Sequence, residues 1–197
     1  APDDALVEIG PGLGALTEEL LALNPRLQVV ELDRDLIPVL RTKFFNYPDF
    51  RIHEADALKF DFRSLVRDGQ PLRIVGNLPY NISTPVMFHL LQNAELIEDM
   101  TFMLQLEVVQ RLGAKPGNKN YGRLGIMVQY FCEVEHPFNV PSAAFTPKPK
   151  VSSAIVRLTP HAKREVEAHS VEALQTVVRT AFNLRRKTLK NSLKAII

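Results

Sequence analysis

Ala5-Leu6-Val7-Glu8-Ile9-Gly10-Pro11-Gly12-Leu13-Gly14, continued by Ala15–Leu23, is the stretch that decides the fold. Ala5–Ile9 is a short apolar run that reads as a strand, and Ala15–Leu23 carries the apolar spacing of a helix. Between them Gly10, Gly12 and Gly14 let the backbone pass close to a ligand, and the helix start offers polar N–H groups. A strand, a glycine-rich turn and a helix in this order open a parallel sheet with helices packed on it.

Outward from that unit the alternation continues. Leu27–Glu31 reads as a second strand and Asp35–Phe45 as a helix, with Pro38 tolerable in its first turn. A third strand ends near Glu54-Ala55-Asp56, a fourth is Leu72–Gly76 and a fifth is Met100–Gln105. Tyr121–Phe131 has strand-like composition, but Leu124, Met127, Val128 and Phe131 fall at helical spacing, which predicts a helix. Gly113–Asn120 is a polar loop, and Cys132–Val140 with Val151–Leu158 read as a closing pair of strands around the turn Pro141–Pro149. The expected class is α/β: a mostly parallel seven-stranded sheet with helices on both faces. Beyond Pro160 the pattern becomes helical and basic. Ser170 can cap a helix whose Val171, Leu174, Val178 and Ala181 share a face, and Arg185, Arg186, Lys187, Lys190 and Lys194 then accompany Leu189, Leu193 and Ile196. Residues 1–160 thus form one expected domain, and residues 161–197 start a small basic helical one.

Composition narrows the class of function. At 197 residues and 46% hydrophobic the chain can bury a core, and no apolar run reaches the ~18 residues of a membrane span. Cys132 stands alone, which excludes an intrachain disulfide and suits a reducing compartment. The five histidines are scattered and share no metal-ligand spacing with Cys132, so no metal is expected. No signal peptide precedes the first strand, and Ala1 rather than Met begins the sequence, as in a piece of a longer chain. The net charge of +2 hides a split: residues 1–135 carry 13 basic and 19 acidic side chains, residues 136–197 carry 11 and 3. A polyanion approached from one end explains that split; a solvated helix face is the plainer explanation.

Two groups of residues carry chemistry. Glu31 closes the second strand, where a carboxylate can accept both hydroxyls of a ribose. With the glycine loop this says nucleoside cofactor without saying which, since Gly10–Ala15 also satisfies the loose dinucleotide fingerprint. Asp56, at the end of the third strand, can accept a hydrogen bond from an adenine amino group, although Asp also caps turns and helices. Together with Asn77 on the next strand end it favours an adenosine with a sulfonium tail, S-adenosylmethionine, over NAD. The second group is Asn77-Leu78-Pro79-Tyr80. Pro79 donates no backbone hydrogen bond and biases Leu78 toward an extended conformation. The Asn77 amide oxygen and the Leu78 carbonyl can then accept the two N–H bonds of an exocyclic amine while Tyr80 stacks on the ring. An ordinary strand-to-helix turn is the competing reading, because Asn and Pro are common turn residues.

EIGPGLGALT (8–17), VVELDRD (29–35), EADAL (54–58), GNLPYNIS (76–83), FTPKPKVSSA (145–154) and AFNLRRKTLKNSL (181–193) together resemble the ribosomal RNA adenine N6,N6-dimethyltransferases, in particular the bacterial small-subunit branch associated with kasugamycin sensitivity. That resemblance implies a Rossmann-like methyltransferase, dependent on S-adenosylmethionine, that dimethylates two adjacent adenines near the 3′ end of 16S rRNA during small-subunit assembly. It implies Gly10 and Gly12 along the methionine part of the cofactor, Glu31 on the ribose, and Asp56 with the Ala57 backbone at the adenine. Asn77 would border cofactor and target, Leu78 would offer its carbonyl to the amine, and Tyr80 and Phe145 would sandwich the base. Relative to the family pattern, the N-terminal lid segment is expected to be absent and the C-terminal domain cut short.

Rival readings remain at this stage. A large-subunit rRNA methyltransferase of the macrolide-resistance type shares the motifs, and the RRKTLKNSL segment (185–193) favours the small-subunit branch. A noncatalytic RNA-binding assembly or transcription factor on the same fold is opposed by intact Glu31, Asp56, Asn77 and Tyr80. An NAD-dependent oxidoreductase lacks a hydride-transfer acid or base near the loop. The expected partner is 16S rRNA within an immature small subunit in the cytoplasm, with no membrane and no obligate protein partner.

Overall fold

The computed structural model describes residues 3–67, 69–146, 148–184, 187–194 and 196. Strands β1 (Ala5–Ile9), β2 (Gln28–Glu31), β3 (Arg51–Glu54), β4 (Leu72–Asn77) and β5 (Ile97–Gln105) form a parallel sheet. Strands β6 (Cys132–Glu135), β7 (Asn139–Val140) and β8 (Ser153–Pro160) close it, and β8 runs antiparallel to β5 and β6. The order is β3-β2-β1-β4-β5-β8-β6, with the two-residue β7 pairing β8 off this path. The expected seven strands are therefore present, and β7 is an eighth. It arises because the predicted strand Cys132–Val140 breaks at His136-Pro137-Phe138, where Pro137 has no N–H for the ladder.

Helices α1 (Ala15–Leu23), α2 (Leu36–Lys43), α3 (Ser83–Leu91), α4 (Leu106–Leu112) and α5 (Arg123–Phe131) connect the strands. Val7, Leu72, Ile74, Met100 and Phe102 are 0% exposed, as expected of strands covered on both faces. One apolar cluster joins these strands to Val86, Met87 and Leu90 of α3 and Val109 of α4. A second gathers Leu21, Leu27, Val29, Leu40, Phe44 and Phe50 around α1 and α2. Helix α2 falls inside the expected Asp35–Phe45 at both ends; at its start the Asp33 carboxylate accepts the Asp35 N–H at 2.9 Å and holds a turn. Helix α5 starts at Arg123 rather than Tyr121, after an extended Gly122.

Gly76 sets the seam between β4 and β1: a Cβ there would lie 2.7 Å from the Ile9 carbonyl oxygen. At the opposite end of the sheet, buried Asp99 on β5 accepts from Arg73 Nη1 on β4 at 2.9 Å and from Arg157 Nη2 on β8 at 2.6 Å. That carboxylate pins three strands and leaves the carboxyl end of the parallel strands free for chemistry.

Helix α6 (Val171–Asn183) is capped as expected, with Ser170 Oγ accepting the Ala173 N–H at 3.1 Å, and Val178 is buried. It packs on α5 and on the short helix α7 (Leu189–Leu193). Leu189 and Ile196, which accompany the basic residues, are exposed. The Arg164 guanidinium sits 4.9 Å from the Tyr130 ring centroid and 5.2 Å from that of Phe131, tying the start of the basic segment to α5.

Candidate active site at the carboxyl edge of the sheet

Strand order reverses between β1 and β4, and the carboxyl ends beside that point are where open α/β sheets hold ligands. The predicted residues fall along this edge in the order Asp56 after β3, Glu31 at β2, the glycine loop after β1, and Asn77 at β4. Backbone bonds stitch the row together: Gly10 N–H donates to Val30 O at 3.0 Å, and Ala55 N–H to Glu31 O at 2.9 Å.

The loop conformation needs its glycines. Gly10 and Gly12 have φ of 67° and 58°, and nothing lies within 4 Å of where a Cβ would be. Their requirement is therefore backbone conformation, and the space beside them is open to a ligand. Glu31, 8% exposed, accepts the Gly12 N–H through Oε2 at 3.2 Å and the Asp33 N–H through Oε1 at 2.9 Å. Each oxygen retains a lone pair for a further donor.

Asp56 and Asn77 differ in a telling way. Asp56 Oδ1 accepts the Leu58 N–H at 2.9 Å, so the turn-capping role is present, and Ala57 is buried beside it. The Asn77 side chain is exposed and makes no hydrogen bond to the described residues, unlike an Asn that stabilises its own turn. The turn is closed by the backbone instead, with Pro79 O accepting from the Ile82 and Ser83 N–H groups, each at 3.1 Å. Leu78 is 1% exposed and anchors the turn, whereas the Tyr80 ring is 45% exposed, available as a stacking platform. Half-buried Phe145 stands on the loop between β7 and β8, whose strand ends pair beside the end of β5.

Glu8 is the residue that sequence reasoning missed. It is 2% exposed beneath the glycine loop and accepts from Thr17 Oγ1 at 2.7 Å. Burial pushes its carboxyl up to about 7; the Thr17 bond opposes the shift and the neighbouring Glu31 charge adds to it. A charge inside the apolar run Ala5–Ile9 is the signal that could have revealed it.

Of the basic residues assigned to RNA, Lys187, Lys190 and Lys194 are exposed on and around α7, while Arg185 and Arg186 lie outside the described residues. Among the described residues, no cluster of His, Cys, Asp and Glu is arranged to hold a metal ion. No described helix is long and apolar enough to cross a membrane.

A glycine loop, an acid on the second strand and an Asn-Leu-Pro-Tyr turn at the switch point of this sheet define a Rossmann-like, S-adenosylmethionine-dependent methyltransferase. The family model described as ribosomal RNA adenine dimethylase matches residues 1–197, and the chain belongs to that family. It is 69% identical over 196 residues to the ribosomal RNA small subunit methyltransferase A of Marinobacter nauticus, covering 100% of this chain and 71% of that protein. The crystal structure of a dimethyladenosine transferase from Plasmodium falciparum superposes with a TM-score of 0.82 at 32% identity, covering 98% of this chain and 68% of the other. That of the 23S rRNA methyltransferase ErmE gives 0.78 at 30% identity, covering 99% and 77%.

Proposed function

We propose that this chain transfers methyl groups from S-adenosylmethionine to N6 of two adjacent adenines near the 3′ end of 16S rRNA, in an immature small ribosomal subunit in the cytoplasm. The observation that carries the reading is the Asn77–Tyr80 turn at the strand-order switch, one strand away from the glycine loop and Glu31. The names of the relatives favour the small subunit over the large-subunit alternative.

The residues fit the cofactor by their chemistry. The carboxylate of Glu31 suits a ribose diol, the second oxygen of Asp56 and the Ala57 backbone suit an adenine edge, and the open side of Gly10 and Gly12 suits an aminoacyl chain. When bound, S-adenosylmethionine supplies an electrophilic methyl group.

The chain's own residues prepare the nucleophile. Adenine N6 is weakly nucleophilic because its lone pair is delocalised into the ring. Hydrogen bonds from N6–H to the Asn77 amide oxygen and the Leu78 carbonyl draw the nitrogen toward tetrahedral geometry and localise that pair. The same oxygens stabilise the positive charge that develops on nitrogen, so they bind the transition state more tightly than the ground state. The alkylated nitrogen is acidic and releases its proton to water, so no strong base is needed. Stacking on Tyr80 and Phe145 offsets part of the few kcal/mol spent unstacking the base. Orientation against the methyl group lowers the barrier by up to ~7 kcal/mol. Lys187, Lys190 and Lys194 hold rRNA phosphates.

Calorimetric titration with S-adenosylmethionine and with NAD tests the cofactor assignment. Binding of the former alone is expected; tight NAD binding with no response to S-adenosylmethionine would overturn it.

A further inference from the structure

The glycine loop rests on a buried acid. Glu8 of β1 lies between Val29 of β2 and Val75 of β4, and its Oε2 reaches α1, where it accepts from Thr17 Oγ1 at 2.7 Å. Thr17 is 0% exposed, so this bond ties the end of β1 to the first turn of α1 under the loop. Two residues further along the chain the loop begins, and Gly10 and Gly12 leave its ligand side open.

Nothing positive answers this acid. Its hydrogen bond is to a hydroxyl, and it makes no ion pair with the described residues. The charged groups on the elements around it are acidic or engaged elsewhere. Glu31 stands two residues beyond Val29, on the same face of the sheet as Glu8. On α1, Glu19 is exposed and Glu18 pairs with Lys43 of α2 at 2.9 Å. Arg73 of β4 pairs with Asp99 at 2.9 Å and with Asp4 at 3.3 Å. Burial therefore pushes the Glu8 carboxyl up to about 7, against the Thr17 bond and with help from Glu31. S-adenosylmethionine brings what is missing: its sulfonium and ammonium outweigh its carboxylate by one positive charge. S-adenosylhomocysteine, a thioether, is a balanced zwitterion.

We infer that Glu8 is the buried counter-charge of the cofactor: S-adenosylmethionine seated on the glycine loop ionises the Glu8 carboxyl and expels its proton, and S-adenosylhomocysteine lets the proton return. The inference rests on the methyltransferase reading and adds a proton balance to it. Glu8 acts as a positioning residue, through the loop and its charge, without touching the reacting atoms. Opposite charges attract strongly where water is excluded, so the ionised carboxyl holds the sulfonium form in preference to the thioether. When the methyl group leaves, the methylated nitrogen gives its proton to water, and Glu8 takes one back from water. The loop thereby loosens its hold on the spent cofactor. By linkage, a ligand that favours the ionised acid must bind more tightly as pH rises toward the ordinary folded-state value of that acid, and no more tightly beyond it.

The test is calorimetric titration of the protein and of Glu8→Gln with each nucleoside, in buffers of different ionisation enthalpy, which counts protons released per ligand bound. At about pH 6.5 the unsubstituted protein should release about half a proton more than Glu8→Gln on binding S-adenosylmethionine. Subtracting the variant cancels titration of the ligand's own amino group. The excess should vanish by about pH 8.5, where Glu8 is already ionised in the free protein, and should be absent with S-adenosylhomocysteine. Affinity for S-adenosylmethionine should rise about tenfold between about pH 5 and 8 in the unsubstituted protein and stay nearly level in Glu8→Gln. A second variant, Thr17→Val, keeps the acid and removes the bond that holds its titration down, so the rise in affinity should move to higher pH. Equal proton release by the protein and Glu8→Gln would overturn the inference, as would equal release on the two nucleosides or an unmoved rise in Thr17→Val. Failure of the methyltransferase reading has a separate signature, absence of binding of either nucleoside by the unsubstituted protein.

Discussion

At the scale of single residues, the Asn77–Tyr80 turn and the buried Glu8 make opposite demands on the protein. Asn77 and Tyr80 are exposed and contribute little to the core, so Asn77→Ala and Tyr80→Ala should fold normally. Each should slow methyl transfer by at least about a hundredfold, ~3 kcal/mol in the barrier, while S-adenosylmethionine affinity falls less. Unchanged single-turnover rates would remove these residues from the mechanism. Glu8 carries a cost instead. Its carboxyl titrates near 7 when folded and near 4.5 ordinarily, so between those values the folded state holds the extra proton. Stability from this residue is therefore greatest below about pH 4.5, falls as pH rises, and levels off above about pH 7. Glu8→Gln keeps a partner for Thr17 and removes the charge, so at about pH 8 it should stabilise the fold by up to ~3 kcal/mol, read as a higher melting temperature. It should do little near pH 4.5. Equal melting temperatures at the higher pH would show that the buried carboxylate ionises without cost.

At the scale of elements, the strands β1 to β5 and the helices α1 and α2 were legible because buried parallel strands read as apolar runs and their helices as periodic ones, whereas α3 (Ser83–Leu91) was not read from the sequence. The site row followed, since Glu31, Asp56 and Asn77 each sit where a strand ends. What was hidden depends on pairing. Helix α4 follows β5 with no capping residue, as Gln105 makes no side-chain cap, so local sequence gives its start no mark. The break before β7 depends on Pro137 meeting a ladder whose paired residues, Asn139 with Ala154 and Val140 with Ser153, are distant in sequence. Glu8 escaped because its burial is a tertiary fact. The β1–β4 seam offers a test at this scale. Gly76→Ala places a Cβ 2.7 Å from the Ile9 carbonyl oxygen and must separate the strands that carry the glycine loop and Asn77. A loss of ~1–3 kcal/mol in urea unfolding, with weakened S-adenosylmethionine binding, is expected. A variant with wild-type stability would show that the seam is slack.

At the scale of the whole molecule, the fold divides its labour between two ends of one sheet. Asp99, Arg73 and Arg157 lock the amino end of β5 to its neighbours β4 and β8, and the carboxyl edge is left to ligands. The basic excess of residues 136–197 is legible in the sequence, and exposed Lys187, Lys190 and Lys194 place part of it on and around α7. Arg111, Arg123 and Arg179 line one cleft without being legible as a group, because they come from α4, α5 and α6 and meet only in the folded chain. The most direct measurement of the central claim is mass spectrometry of 16S rRNA from unmethylated small subunits incubated with the protein and S-adenosylmethionine. N6,N6-dimethyladenine at two adjacent positions near the 3′ end is the predicted result; unmodified small-subunit rRNA, or methylation of 23S rRNA alone, would contradict it.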